Sequence, residues 1–431
     1  MLHDRMLEEG AQLSHRQAMD EPELKQLRCI IREQIHQADS MDDKELMSLI
    51  EAVVLQYSNR EHKLSARQKI EAIHLLFHSF RGLDLLQPLM EDESITEIMI
   101  NHHEEIFVER NGVLIKLQQR FESKERLEDL IQAIVSSVNR VVNESSPIVD
   151  ARLKDGSRVH VVLPPVALKG PCMTIRKFPD KPLTMEHLIA FGSISNEAAE
   201  LLRVLIEAQY NIFISGGTGT GKTTFLNVLS QYIPNSERVI TIEDSAELQL
   251  KSLHNVVTLE TRNANTEGKG EIAIKDLIRA ALRMRPNRII VGEVRGEEAL
   301  DMLQALNTGH AGSLSTGHGN SAQDMMSRLE TMVLSAAQLP LPVIRKQIAS
   351  AIDIVIHLTR YRDGSRKVSE ICEVIGMEQG EIKLQPLYQF VEEAEQDGSF
   401  QGRLLATPYG LIHTEKLYLA GRECSQFAKS T

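Results

Sequence analysis

The residues of this 431-residue chain best suited to chemistry are Gly216-Gly217-Thr218-Gly219-Thr220-Gly221-Lys222-Thr223: a glycine, four residues, then glycine, lysine and threonine. Glycines let the backbone curl so that successive N–H groups face an anion at a helix N-terminus, where the helix dipole also favours negative charge. Lys222 then reaches the β- and γ-phosphates of a nucleotide, and the Thr223 hydroxyl completes the near-octahedral oxygen shell that Mg²⁺ demands. Gly217, Thr218, Gly219, Thr220, Gly221, Lys222, Thr223 and Thr224 are the candidate nucleotide contacts, with ATP and Mg²⁺ as the expected substrate and cofactor. The context agrees, because Asn211-Ile212-Phe213-Ile214 is a buried-strand run and Thr224-Phe225-Leu226-Asn227-Val228-Leu229 starts a helix.

Phosphate binding alone would suit a switch or a kinase, so hydrolysis has to be argued from acids that can orient water. Val239-Ile240-Thr241-Ile242-Glu243-Asp244 is an apolar strand ending in two carboxylates, and strand ends beside a phosphate loop are where such groups must sit. Arg288-Ile289-Ile290-Val291-Gly292-Glu293 repeats that Walker B layout, with glycine where aspartate is common. Glu243 is the first candidate base and Glu293 the candidate that acts through the Mg²⁺ shell; either can activate the water. One strand-end acid is ordinarily a turn or helix cap, but two such strands downstream of one phosphate loop favour catalysis.

The glycine-rich stretch from Gly309 to Ser321 carries His310 and His318, eight residues apart, a spacing that suits no helical metal pair. Beside a γ-phosphate, a histidine can donate a hydrogen bond or respond to the departure of the phosphate; alone, either one is ordinarily structural. Arginines cluster at Arg279, Arg283, Arg285, Arg288 and Arg295, and again at Arg152, Arg158 and Arg176. Most of them read as a solvated basic face, and a few as fingers that reach a triphosphate from the other domain or a neighbouring subunit.

The elements that must position these groups exceed one hydrophobic core, since 431 residues imply two domains plus extensions. Helical spacing of Leu46, Ile50, Val53 and Val54, and of Ile70, Ile73, Leu76 and Phe77, predicts a helical extension over residues 1–82. Residues 83–176 form an α+β domain. Its strands are Ile98-Met99-Ile100, Ile106-Phe107-Val108 and Val113-Leu114-Ile115 after an Asn111-Gly112 turn; a helix follows from Arg126 to Val142, then a strand pair flanks Lys154-Asp155-Gly156. Prolines at 179 and 182 mark a linker over residues 177–184, the phosphate-loop domain occupies 185–390, and residues 391–431 are a peripheral tail.

The longest apolar runs, such as Ile289 to Val291, fall far short of a membrane span, and the N-terminus lacks the apolar core of a signal peptide. Cys29, Cys172, Cys372 and Cys424 form no paired or metal-ligand spacing, which fits a reducing cytoplasm. A formal net charge of −12 argues against bulk nucleic-acid binding, and with few aromatics for base stacking it disfavours a helicase or packaging motor.

The order of these segments resembles the secretion ATPases of type II and type IV systems, which carry a Walker A, an acidic box, a Walker B and a histidine box. Within that superfamily the chain is most similar to the tight-adherence (Flp) pilus assembly ATPases, the CpaF/TadA branch, from about Leu83 to Phe390. The similarity rests on Asp84-Leu85-Leu86-Gln87-Pro88-Leu89, Glu144-Ser145-Ser146-Pro147, Val149-Asp150-Ala151-Arg152, Asp155-Gly156-Ser157-Arg158-Val159, Thr174-Ile175-Arg176 and the run from Ile214 to His318. It implies an α/β protein with a RecA-like C-terminal P-loop domain and a smaller α+β N-terminal domain. It further implies a head-to-tail homohexamer, peripheral on the cytoplasmic face of a bacterial inner membrane and working with membrane platform proteins. By the same resemblance Lys222 and Thr223 hold phosphate and Mg²⁺, Glu243 belongs to the acidic box, Glu293 to Walker B, and His310 and His318 to the histidine box. Arg152, Arg158 and Arg176 look like N-terminal-domain arginines that approach the nucleotide. Type IV secretion of protein or DNA is the neighbouring expectation, and an ATP-gated scaffold that does not hydrolyse is one of another class. The departure is Ser315-Thr316-Gly317-His318-Gly319-Asn320-Ser321 in place of Thr-Thr-Val-His-Ala-Asn-Ser, whose two glycines predict a looser box around a retained histidine.

Overall fold

The chain divides between Pro179 and Asp180 into two units, each with its own hydrophobic core. The computed structural model describes residues 21–35, 42–60, 64–110, 112–138, 140–178, 182–262, 264, 269–393 and 401–422. Pro179, Asp180 and Lys181 of the expected linker, Asn111 of the expected turn, Cys424, and residues 1–20, 36–41 and 61–63 of the expected extension lie outside these.

In the first unit, helices Glu21–Ile35, Asp43–Arg60 and Ala66–Arg81 bury Leu27, Ile31, Leu46, Ile50, Val53, Val54 and Leu76 against one another. Ile70, expected in that apolar stripe, is instead exposed, because the neighbouring helices cover a narrower arc than the sequence pattern allows. Among the described residues, six strands form an antiparallel sheet ordered β3-β2-β1-β6-β5-β4: β1 (Ile95–His102), β2 (Glu105–Arg110), β3 (Val113–Lys116), β4 (Ile148–Arg152), β5 (Arg158–Val162) and β6 (Cys172–Arg176). Helix Lys124–Ser137 buries Leu127, Leu130, Ile131, Ile134 and Val135 in the core of this sheet. It stops at Ser137, short of the expected Val142, where Val138, Val141 and Val142 are β-branched and poor helix formers.

In the second unit the strands are β7 (Ile212–Gly216), β8 (Arg238–Glu243), β9 (Asn255–Glu260), β10 (Arg288–Val294), β11 (Leu314–Gly317), β12 (Ile354–Arg360), β13 (Arg366–Glu378), β14 (Glu381–Glu393) and β15 (Gln401–Ala406). They form one sheet ordered β15-β14-β13-β12-β7-β11-β10-β8-β9, parallel from β12 to β9 and extended antiparallel through β13 to β15. Helices cover both faces of β7: Ile212 and Ile214 join a core with helices Asn196–Glu207 and Lys222–Ser230, and Phe213 one with helices Glu298–Asn307 and Ala322–Ala336. Burial on both sides is why these strands appear as unbroken apolar runs.

The C-terminal stretch differs from the expected peripheral tail. β14 continues past residue 390 and β15 pairs with it, while Leu404, Leu411 and Leu417 enter the core shared with β7. Lys416 Nζ lies 2.5 Å from Asp353 Oδ2, and Tyr210 donates its hydroxyl to the His413 carbonyl at 2.5 Å. Each of these leucines has an apolar neighbour in sequence, Leu405, Ile412 and Tyr418, that stays exposed, so the short apolar pairs do not by themselves say which residue is buried.

Candidate active site

The phosphate loop leaves the carboxyl end of β7 and turns into helix Lys222–Ser230. Gly219 and Gly221 adopt left-handed backbone (φ +73° and +91°), and a Cβ at Gly216 would stand 2.6 Å from the Leu358 carbonyl oxygen. Glycine alone builds this turn without strain. Thr220 is buried and its Oγ1 donates to Gly217 O at 2.9 Å, Thr223 is half-buried at the helix start, and Thr218 and Thr224 are exposed. Lys222 is 9% exposed, and its ammonium donates to Gly216 O (3.1 Å) and Gly217 O (3.0 Å). Burial pushes the lysine pKa down, opposed by the nearby Glu293 carboxylate.

Strand order decides which sequence candidates join it. β11 lies next to β7 with Gly317 opposite Ser215, so His318 emerges beside the loop and its Nδ1 sits 3.3 Å from Lys222 Nζ. Its Nε2 is 2.6 Å from Glu293 Oε1 at the end of β10. Burial, and then the Lys222 charge, lower the His318 pKa, favouring a neutral ring. Between Val291 and Val294 the register of β10 against β11 shifts by a bulge, a device that re-aims side chains beside active sites. Arg295 holds the other Glu293 oxygen, Oε2, at 2.5 Å, and this hydrogen bond raises the arginine pKa.

Glu243 is placed differently. It is 3% exposed, and its Oε1 accepts from the backbone amides of Glu247 (2.9 Å) and Leu248 (3.1 Å), tying down the loop that leaves β8. A Cβ on Gly292 would stand 2.8 Å from Glu243 Cγ, which is the physical reason this Walker B-like strand carries glycine before its glutamate. Gly292→Ala should therefore push Glu243 off its amides and destabilise the P-loop unit by about 1–3 kcal/mol, read as a lowered urea midpoint; an unshifted midpoint would refute the crowding argument.

His310 does not join the constellation. It precedes β11, at the opposite edge of the sheet from His318 and about 15 Å away at strand rise, with Nδ1 3.2 Å from Ala305 O. The box around His318 is also not loose. Cβ atoms on Gly317 and Gly319 would meet the Phe213 ring at 3.0 Å and Ser215 Oγ at 2.7 Å, so the glycines are there for close packing. Ser215 in turn lies 3.2 Å from Nδ1 of the buried His357, whose pKa burial lowers. Among the clustered arginines, Arg288 contradicts the solvated face: it is fully buried against Glu237. Arg279 pairs with Asp301 at 2.8 Å.

In the first unit, Arg152, Arg158 and Arg176 stand directly opposite one another across β4, β5 and β6, a row of like charges on three adjacent strands. Arg152 also covers the Phe178 ring at 5.6 Å, and Arg158 approaches Asp150 at 3.8 Å. Unforeseen from the sequence is Arg366, whose Nε donates to Gly219 O at 2.8 Å. The Asp363-Gly364 dipeptide signals its hairpin, but nothing local says that β12 will pair with β7.

The groups present fit a nucleotide and a divalent cation. The loop offers a cradle that only glycine can line, and the buried Glu293 Oε1 has no well-directed hydrogen bond despite its closeness to His318. Thr223 and Glu293 are the oxygen donors that would hold Mg²⁺.

The model of the family described as type II/IV secretion system protein matches residues 81–417. The chain belongs to this family. It is 34% identical over 317 residues to a Mycobacterium tuberculosis protein named for conjugal transfer, covering 72% of this chain and 89% of that one. Type IV secretion system protein VirB11 of Brucella suis is 32% identical over 319 residues, covering 67% and 88%. In fold, this secretion-family chain resembles the pilus retraction motor PilT with bound ADP, at 21% identity and TM-score 0.51, over 66% of this chain and 81% of that one. Its architecture is accordingly α/β, with a RecA-like P-loop unit preceded by an N-terminal domain. Among the described residues no helix is long and apolar enough to cross a membrane.

Proposed function

We propose that this secretion-family protein hydrolyses ATP as one subunit of a homohexameric motor, and that it drives assembly of a tight-adherence pilus from the cytoplasmic face of a bacterial inner membrane. The observation that carries the ATPase reading is the contact chain Lys222–His318–Glu293, which joins the phosphate loop, the histidine box and the second carboxylate strand at one edge of the sheet. Lys222 and the loop amides bind and orient the β- and γ-phosphates, and Thr223 and Glu293 hold Mg²⁺. The cation supplies charge neutralisation on the phosphates. Glu293 orients the attacking water, His318 reports the γ-phosphate to Lys222, and Glu243 fixes the loop after β8.

Coupling in this proposal runs through the arginine row: Arg152, Arg158 and Arg176, opposed across β4, β5 and β6, contact the triphosphate, and loss of phosphate releases them. The resulting domain motion works on a membrane platform protein. The order of motifs supports the tight-adherence reading, while relatives named for conjugal transfer and type IV secretion favour, as the second reading, a motor that exports protein or DNA.

Steady-state ATP hydrolysis by the purified full chain tests the proposal. Turnover should be measurable and fall at least about 100-fold in Lys222→Ala, since that ammonium binds the β- and γ-phosphates where charge develops. Tight ATP binding without turnover, with or without the membrane platform protein, would instead mean a nucleotide-gated scaffold.

A further inference from the structure

The hairpin joining β12 to β13 brings two arginines to the phosphate loop from the side opposite Glu293. Arg360 and Arg366 are directly opposed in register. Arg366 Nε donates to Gly219 O at 2.8 Å, and its Cδ would lie 3.5 Å from a Cβ on Gly221. Arg360 Nη1 would lie 3.8 Å from a Cβ on Gly219. Both side chains are exposed, and among the described residues neither guanidinium has a carboxylate partner. Like charges facing each other across two strands are unfavourable, so the pair favours an anion bound beside it.

The place of that anion follows from sheet order. β12 and β11 flank β7 on opposite sides, with β10 beyond β11. His318 and Glu293 therefore mark where the terminal phosphate reacts, and the hairpin arginines stand at the other end of the nucleotide. We infer that Arg360 and Arg366 form a clamp, within the same subunit, on the α- and β-phosphates of a nucleoside di- or triphosphate, setting its affinity and not its hydrolysis. This rests on the reading of the loop as a nucleotide site. Guanidinium forks suit the task because they bind two phosphate oxygens at once, which a lysine ammonium cannot reproduce.

The test is equilibrium binding of ADP and of a non-hydrolysable ATP analogue to the purified full chain by calorimetry, with steady-state kinetics alongside. Arg360→Ala and Arg366→Ala should each weaken binding of both nucleotides about tenfold and raise KM for ATP similarly, with kcat within about twofold of native. Arg366→Lys should recover only part of the affinity, and Arg362→Ala, an exposed neighbour on the same hairpin, should match native, which separates the clamp from general charge and from misfolding. Unchanged ADP affinity in both alanine variants, or a collapse of kcat at unchanged ADP affinity, would overturn the clamp while leaving the nucleotide site intact. Failure of the native chain to bind ADP, as expected only of Lys222→Ala, would overturn the nucleotide reading and the clamp with it.

Discussion

Glu293→Gln is expected to lower kcat for ATP hydrolysis by about 10²–10⁴ while ADP binds almost as in the native chain, because the substitution removes a charge without removing volume. The size follows from what Glu293 does in this arrangement. Its Oε1 sits 2.6 Å from His318 and has no well-directed hydrogen bond, and its Oε2 is held by Arg295, so the carboxylate is aimed before any substrate arrives. Pre-aimed charge in a partly buried site needs no reorganisation during reaction, which is where such groups have their largest effects. Glutamine keeps the shape but cannot accept a proton or carry charge next to Mg²⁺. Measuring kcat and ADP affinity on the same preparation separates the outcomes. A kcat within tenfold of native would remove Glu293 from water activation and shift that role to Glu243, despite the backbone amides that now hold the latter carboxylate.

The largest effect on stability is expected from Arg288→Ala. Arg288 is fully buried and pairs with Glu237 through both Nε and Nη2, the latter at 2.9 Å, and Nη1 donates to Gly312 O at 3.1 Å. These contacts join the entry ends of β10, β8 and β11, the strands that carry Glu293, Glu243 and His318 at their other ends. Removing one partner of a buried pair leaves the other charge without compensation, a loss of about 3–5 kcal/mol, and lowers the unfolding temperature of the P-loop unit by about 10 °C. Arg288→Met combined with Glu237→Leu should regain most of that loss, since replacing both charges removes the uncompensated one. Thermal unfolding of the three proteins checks this, and a single variant as stable as native would show that the pair contributes little.

The two cases mark how far the sequence could be read. Gly216 to Thr223 was legible because the cradle is built from consecutive residues, and the strands ending in Glu243 and Glu293 were legible because burial on both faces leaves an unbroken apolar run. Arg288 was misread as part of a solvated face because a charged residue at the start of a strand carries no local mark of burial. The family resemblance puts His310 with His318 in one histidine box, yet crossing the sheet along β11 separates them by about 15 Å. Arg366 was missed for the converse reason: it stands 147 positions along the chain from the glycine it touches.

What the sequence determined by itself was the chemistry on offer: a glycine-lined loop ending in lysine and threonine, two strand-end carboxylates, two histidines in a glycine-rich stretch, and a family resemblance that the match over residues 81–417 bears out at the level of type II/IV secretion system proteins. What only the tertiary structure decided was allocation. It left Glu293 aimed and Glu243 tied to its loop, set His318 beside Lys222 and His310 at the far edge, buried Leu404, Leu411 and Leu417 of the supposed tail, and laid an arginine hairpin along the phosphate loop. The physical reason is that composition and periodicity report what each segment must bury within its own few residues. Which strand becomes whose neighbour is set by crossovers and packing across the whole sheet, and that order fixes which side chains meet.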